Sequence, residues 1–419
     1  MKWNVLPDII AIALLICAFA SVARQSRMPV SRLWLMGWLM ILLHFVSELF
    51  RHLPGLVGNL ANIVLSASLI WAGLLYVHSV IPYSKDISSR WMLGSLLTAN
   101  TFYISIMMIG TDQHWPFNLA AVLLGLCPLT VALAAIRKVN HPLRWFLVCV
   151  YAALSVFLLI FQYRPGNGGD LAWNAVMFTV YLACSVFFFS AYRRATAGAF
   201  VTIAGFVTWT SVFFMAPVMW NFFPQVHVES EVYNLSKYIV AVGMILLLLE
   251  DQVEHNKHLA LHDELTGLPN RRLFQDRLAN ALDRARRTNA QAALLLIDLN
   301  HFKRVNDTLG HHVGDLLLQR VGAIFSGRVR RSDTVARTGG DEFSIILEEP
   351  TSRTDALHVC EVLLELLKEP VLLDQHRVQT GASIGIAIFP EDAQDMESLC
   401  IAADLRMYEE KKGLAIGAC

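Results

Sequence analysis

The segment from residue 337 to 347 reads RTGGDEFSIIL and sets two glycines and two carboxylates in the break between two β-rich apolar runs. DTVAR before it and FSIIL after it have the β-branched content of strands, so Gly339-Gly340 reads as the turn of a hairpin that carries Asp341 and Glu342. Glycine there either allows the positive φ of a tight turn or, lacking a Cβ, admits a bulky anionic ligand to the backbone. Upstream, AALLLIDLN is an apolar run of strand length whose far end holds Asp298. A carboxylate at the end of a buried strand is costly unless a cation or hydrogen bonds satisfy it. If that strand lies beside the hairpin, Asp298 and Asp341 converge on one hard cation, and the Leu299 carbonyl can add an oxygen. With no His or Cys at ligand spacing, such a donor set points to Mg2+ rather than zinc. Mg2+ held by few carboxylates completes its shell with water and substrate phosphates, so a nucleotide is the expected substrate.

The elements around these residues follow from pattern. After Asn300 the sequence HFKRVNDTLGHHVGDLLLQRVGAIF turns helical. There Asn306 and Asp307 can cap the next helix, Gly310 and Gly314 can be turn residues, Lys303 suits a solvated face, and Phe302 suits the core. DELTGLP (263–269) reads as a helix stop and turn, with a structural and signal-transmitting role.

The chain of 419 residues divides by composition. Residues 1–250 hold 14 Lys/Arg and 8 Asp/Glu, and residues 251–419 hold 20 and 26, so the two parts carry +6 and −6. The first part contains nine apolar stretches, near 7–23, 33–50, 58–80, 91–110, 116–136, 145–163, 172–191, 199–222 and 233–249. Each is a candidate to cross a hydrocarbon core of about 30 Å. Connecting segments alternate in charge: 24–32, 84–90, 137–144 and 192–198 carry 3, 2, 3 and 2 Lys/Arg, and those around Arg51, 111–114, 163–170 and 222–231 carry 1, 0, 1 and 0. The basic set is expected on the cytoplasmic side, which puts the amino terminus outside and everything after Leu249 inside. Lys2, the apolar run and AFASVA imitate a cleaved signal peptide, but Arg24, Arg27 and Arg32 fit a cytoplasmic loop better.

His44 and Glu48 share one face of the second stretch, as a functional pair or as an interhelical contact. Seven cysteines form no CxxC pair and no metal-ligand spacing, so no disulfide framework is expected. The expected domains are a transmembrane sensor domain at 1–249, a helical linker at 250–262, and a soluble domain at 263–419. Leu246, Leu249, Val253, Asn256 and Ala260 have the spacing of a short parallel dimer seam.

Five blocks, DELTGLPNRRLF, DLNHFKRVNDTLGHHVGD, RTGGDEF, SIGIAIFP and AADLRMYEEKKG, resemble in order and spacing the GGDEF family of bacterial diguanylate cyclases. The resemblance implies an α+β palm-like domain with a central, mostly antiparallel sheet, behind an all-α polytopic membrane region. It implies condensation of two GTP into cyclic di-GMP and two pyrophosphates by a homodimer at the bacterial cytoplasmic membrane. Two Mg2+ per half-site, or Mn2+, would serve as cofactor, and no nucleic acid polymer is expected as a partner. By the same resemblance Asp298, Asp341, Glu342 and the Leu299 carbonyl hold metal, with Asp341, Glu342 and Lys303 serving catalysis. Asn306 and Asp315 read guanine, Lys303 and Lys411 meet phosphates, and Gly339 and Gly340 admit the nucleotide. Arg330 and Asp333 match the Arg-x-x-Asp site where the product binds back as an allosteric inhibitor. The alternative is an inactive GGDEF receptor that binds cyclic di-GMP or GTP. Two departures stand out. Asn300 replaces an acid and is expected to point away from the ion; the arginine that usually follows the last glycine is absent, leaving Lys412 as a substitute.

The charge alternation predicts that a reporter fused after Leu249 behaves as cytoplasmic and one fused within 163–170 as external; the reverse at either position would remove a span from the expected nine.

Overall fold

The computed structural model describes residues 5–26, 28–81, 87–109, 113–134, 142–161, 168–192, 196–223, 225, 230–349 and 352–416. Most of the charge-bearing connections between the apolar stretches lie outside these residues. The chain forms two compact units, Met1–Val253 and Glu254–Cys419.

The first unit is helical: α1 (Leu6–Gln25), α2 (Ser31–Phe50), α3 (Leu56–Ser79), α4 (Ile87–Ile109), α5 (Trp115–Ala134), α6 (Pro142–Phe161), α7 (Gly168–Ala191), α8 (Ala197–Phe222) and the first part of α9 (Ser230–Leu261). Eight of these, α1 to α8, are long and apolar enough to cross a membrane. The ninth apolar stretch lies within α9 and contains Lys237; among the described residues α9 is not one of the eight. Several buried polar groups inside the bundle find partners on neighbouring helices, as an apolar surrounding favours. Trp34 Nε1 donates to Ser79 Oγ at 2.8 Å, and the Tyr181 hydroxyl to the Leu69 carbonyl at 3.1 Å. His44 Nδ1 lies 2.8 Å from the Leu65 carbonyl on α3, while Glu48 pairs with Arg51 at 3.1 Å. The geometry is that of an interhelical contact, the structural alternative for this pair.

The second unit runs α10 (Arg271–Thr288), β1 (Ala292–Asn300), α11 (Phe302–Leu309), α12 (His311–Ser326), β2 (Thr334–Arg337), β3 (Glu342–Glu348), α13 (Arg353–Lys368), β4 (Val371–Leu373), β5 (His376–Val378), β6 (Gly381–Phe389) and α14 (Met396–Ile416). Its four-stranded sheet has the order β2-β3-β1-β6, antiparallel throughout. Strand periodicity sorts β1 between two cores. Ala293, Leu295, Ile297 and Leu299 pack with Val313, Leu317 and Leu363 on one face; Ala292 and Leu294 pack with Leu278, Leu282, Leu399 and Ala403 on the other. The α+β architecture with an antiparallel sheet between helical layers is the one expected.

Two connections fix where the sheet's functional end lies. First, α14 rests directly on β6, because a Cβ at Gly385 would collide with the backbone of Ala403 and Met407. Arg406 forks onto Asp392 at 2.8 Å and onto the Ile386 carbonyl, and Arg353 reaches the same carboxylate at 2.8 Å. The Arg406 fork, with the Ile388 N–H and Arg353, outweighs partial burial and holds the Asp392 carboxyl far below the usual range. Second, the DELTGLP turn is built around Asp263. Its Oδ1 accepts from the Thr266 amide and hydroxyl at 2.9 and 2.7 Å, and Gly267 takes φ +70. Arg337, at the end of β2, donates to both Asp263 oxygens at 2.9 and 3.0 Å and to the Gly340 carbonyl at 3.1 and 2.7 Å. Burial pushes the Asp263 carboxyl up, but the Thr266 and Arg337 donors outweigh it and hold the carboxyl below its ordinary value. One guanidinium thus ties the Gly-Gly turn to the turn that follows α9.

Candidate active site

β2 and β3 form the expected hairpin, with Arg337 opposite Phe343 and the amides of Thr338 and Gly339 donating to the Glu342 carbonyl at 3.0 and 3.4 Å. Neither turn glycine has a positive φ. A Cβ at Gly339 would meet the end of the Glu342 side chain, which folds back over it and would have to swing aside. Gly340 faces open space, with no atom within 4 Å of where its Cβ would stand. Of the two uses open to these glycines, the relief of a strained φ is therefore not the one found, because the four-residue turn closes without the left-handed region.

β1 lies beside this hairpin. Asp298 is the register partner of Glu342, which puts both side chains on one face of the sheet, and the Leu299 amide donates to the Asp341 carbonyl at 3.2 Å. Asp298 is only 8% exposed. Lys411 on α14, assigned in sequence to phosphate, places its Nζ 2.7 Å from Asp298 Oδ1 and so acts as counter-charge to the buried acid. Asn300 differs from expectation. It lies two residues from Asp298, so strand periodicity turns it toward the same face and not away. Its Oδ1 accepts from Ser383 Oγ at 3.0 Å, and Ser383 is the β6 partner of Asp298.

Across the connection, Asn306 on α11 folds its carboxamide onto α12 at Gly314, where a Cβ would overlap the Asn306 Oδ1. Asn306 therefore sits beside Asp315, which is exposed, as is Lys303. The capping alternative for Asn306 fails, since the residue before α12 is Gly310 and no side chain caps that helix. Lys412 is engaged elsewhere: its ammonium lies over the Tyr408 ring, 4.4 Å from the centroid, so it does not replace the absent arginine. The Arg330–Asp333 pair is a backbone turn and not an ion pair. Asp333 accepts from the Arg330 amide at 2.9 Å and the Glu348 amide at 3.1 Å, and Arg330 is exposed.

Among the described residues no group of three or more His, Cys, Asp or Glu side chains gathers as a ready metal site. The donor chemistry nevertheless fits a hard cation. Asp298 and Glu342 are acids facing the same way, one of them buried, and the turn beside them is open. The residue whose importance sequence pattern missed is Arg337. Its signal is an arginine fork immediately before a turn with free carbonyls, and its acidic partner lies 74 positions earlier.

Residues 260–414 match the family model described as diguanylate cyclase, GGDEF domain. The chain is 40% identical over 196 residues to the bifunctional diguanylate cyclase/cyclic di-GMP phosphodiesterase MucR of Pseudomonas aeruginosa, covering 43% of this chain and 28% of that protein. It is 41% identical over 165 residues to the diguanylate cyclase TpbB of the same organism, covering 39% of this chain and 38% of that one. The chain thus spans less than two fifths of the length of either relative. A solved structure comprising only the GGDEF domain of TpbB is 42% identical, covers 36% of this chain and 89% of that one, and gives a TM-score of 0.36. With the five sequence blocks carried on this antiparallel sheet and its Gly-Gly-Asp-Glu hairpin, residues 260–414 are a GGDEF domain.

Proposed function

We propose that the second unit is a diguanylate cyclase that condenses two GTP into cyclic di-GMP, and that the first unit anchors it to the bacterial inner membrane with about nine spans, eight of them the helices α1 to α8. The observation that carries this reading is the buried Asp298 opposite Glu342 in the turn hairpin, with Lys411 at 2.7 Å and Asn306 seated on Gly314 beside Asp315. Intact carboxylates at 298, 341 and 342 favour catalysis over a purely receptor role.

Asp298, Asp341, Glu342 and the Leu299 carbonyl would hold the divalent cation. When bound, such a cation lowers the pKa of the attacking 3′-hydroxyl and neutralises charge on the departing pyrophosphate. The chain's own groups do the rest. Asn306 and Asp315 offer the acceptors that guanine N1–H and N2–H2 require, which adenine cannot match. Lys303 and Lys411 spread positive charge along the triphosphate. Because one domain binds one GTP, the 3′-hydroxyl held by one subunit attacks the α-phosphorus held by the other, so two domains must face each other. The exposed Leu249 and Val253 on α9 supply the start of a seam for that dimer. Positioning two half-sites is then the step that a membrane sensor region can control.

Incubation of the purified protein with GTP and Mg2+, with products separated by chromatography, is expected to yield cyclic di-GMP. Asp341→Ala should abolish synthesis in a folded protein, and Asp298→Ala should act similarly; retention of more than about a tenth of wild-type turnover would remove the metal assignment. Asn306→Ala and Asp315→Ala should weaken GTP binding and erode the preference over ATP.

Product inhibition at Arg330 and Asp333 belongs to the same proposal. With Asp333 held by two backbone amides, Arg330 presents its side chain outward, free to fork onto a phosphate or a guanine edge. Arg330→Ala is expected to keep the wild-type initial rate and to continue synthesis as product accumulates; progress curves with the wild-type plateau would exclude the site.

A further inference from the structure

α11 has two functional faces. Lys303 and Asn306 stand on the face turned to the proposed guanine site, whereas Arg304 and Val305 belong to the other side, which borders a separate cavity of about 510 Å3. His301 and Arg304, Lys368 at the end of α13, and Arg377 on β5 line this cavity, over a floor that includes Val305 and the buried Val378. No acidic residue lines it. Lys368 is paired with Glu365 at 2.8 Å, but both side chains are well exposed, so that pair is weak. Among the described residues neither the Arg304 nor the Arg377 side chain has a hydrogen-bond or ion-pair partner. Two arginines with no side-chain partner, a weakly paired lysine and a histidine therefore line a concave surface that no acidic residue shares, in a volume typical of small-molecule sites.

We propose that this cavity binds a compact phosphoryl anion, through bidentate contacts from Arg304 and Arg377. The ligand chemistry is that of pyrophosphate or of the phosphate end of a mononucleotide. Occupation clamps α11 between the anion and α12, and so stabilises the helix that carries Lys303 and Asn306. That coupling rests on the cyclase reading; the binding does not.

The test is equilibrium dialysis of labelled inorganic pyrophosphate against the full-length protein in detergent. Wild type is expected to bind two pyrophosphates per chain. Lys411→Ala should lose the one at the phosphate-binding end of the sheet and keep the other, and Arg304→Glu with Arg377→Glu should weaken that other by at least about tenfold. Both arginines are exposed, so folding should survive; Arg304→Gln with Arg377→Gln gives the same comparison if the glutamates do not express. GMP held more tightly than pyrophosphate by wild type, and released by the same double variant, would identify a nucleotide as the source, and the reverse order an inorganic anion. Binding in the double variants equal to wild type in number and affinity would overturn the site, as would retention of an acidic peptide with no retention of pyrophosphate. Failure of cyclic di-GMP synthesis alone would leave these dialysis results standing, so the two proposals fail separately.

Discussion

An aspartate that is 8% exposed at the end of an apolar strand is the constraint around which the second unit is arranged. Burying a carboxyl group there is costly unless a cation or hydrogen bonds satisfy it. Lys411 provides one at 2.7 Å from a position 113 residues later in the chain, so the path of α14 is not free. α14 must cross β6 closely, which Gly385 permits, and must be held at that height, which the Arg406–Asp392–Arg353 network does. A bulky residue at 385 or loss of the fork would leave the helix packed but its lysine displaced. The packing of a helix on an edge strand and the electrostatics of one carboxylate are thus a single requirement.

The hairpin is constrained from the other side. Arg337 places one arm on Asp263 and the other on the Gly340 carbonyl. The Gly-Gly turn is consequently not a loose surface loop, since its backbone is fixed to the turn that begins two residues after α9 ends at Leu261. The Glu342 side chain closes over Gly339, and Gly340 is left open toward solvent. Closure on one glycine and openness on the next is what a site needs if a large anion is to approach the backbone there.

Much of this was legible in the sequence because it rests on local pattern. The apolar run AALLLIDLN and the β-branched content of FSIIL indicated strands, the Gly-Gly break indicated the hairpin, and apolar length indicated candidate spans. Side-chain partners far apart in sequence were not legible. Nothing local indicates that Lys411 meets Asp298, that Lys412 lies over Tyr408, or that Asn306 needs Gly314. Asn300 was readable and misassigned: a residue two positions from Asp298 shares its face by the same period that defined the strand. The Arg330–Asp333 spacing does not show that the carboxylate is taken by the Arg330 and Glu348 backbone amides, as short acidic side chains in turns commonly allow.

The central claim, that Asp298 and its hairpin neighbours form a cation-holding centre, is tested most directly by Mn2+ binding followed by electron paramagnetic resonance with a non-hydrolysable GTP analogue present. Wild type is expected to take up Mn2+, and Asp298→Asn, which keeps the shape and removes the charge, to bind it at least about tenfold more weakly. Equal Mn2+ affinity in the two proteins would contradict the account.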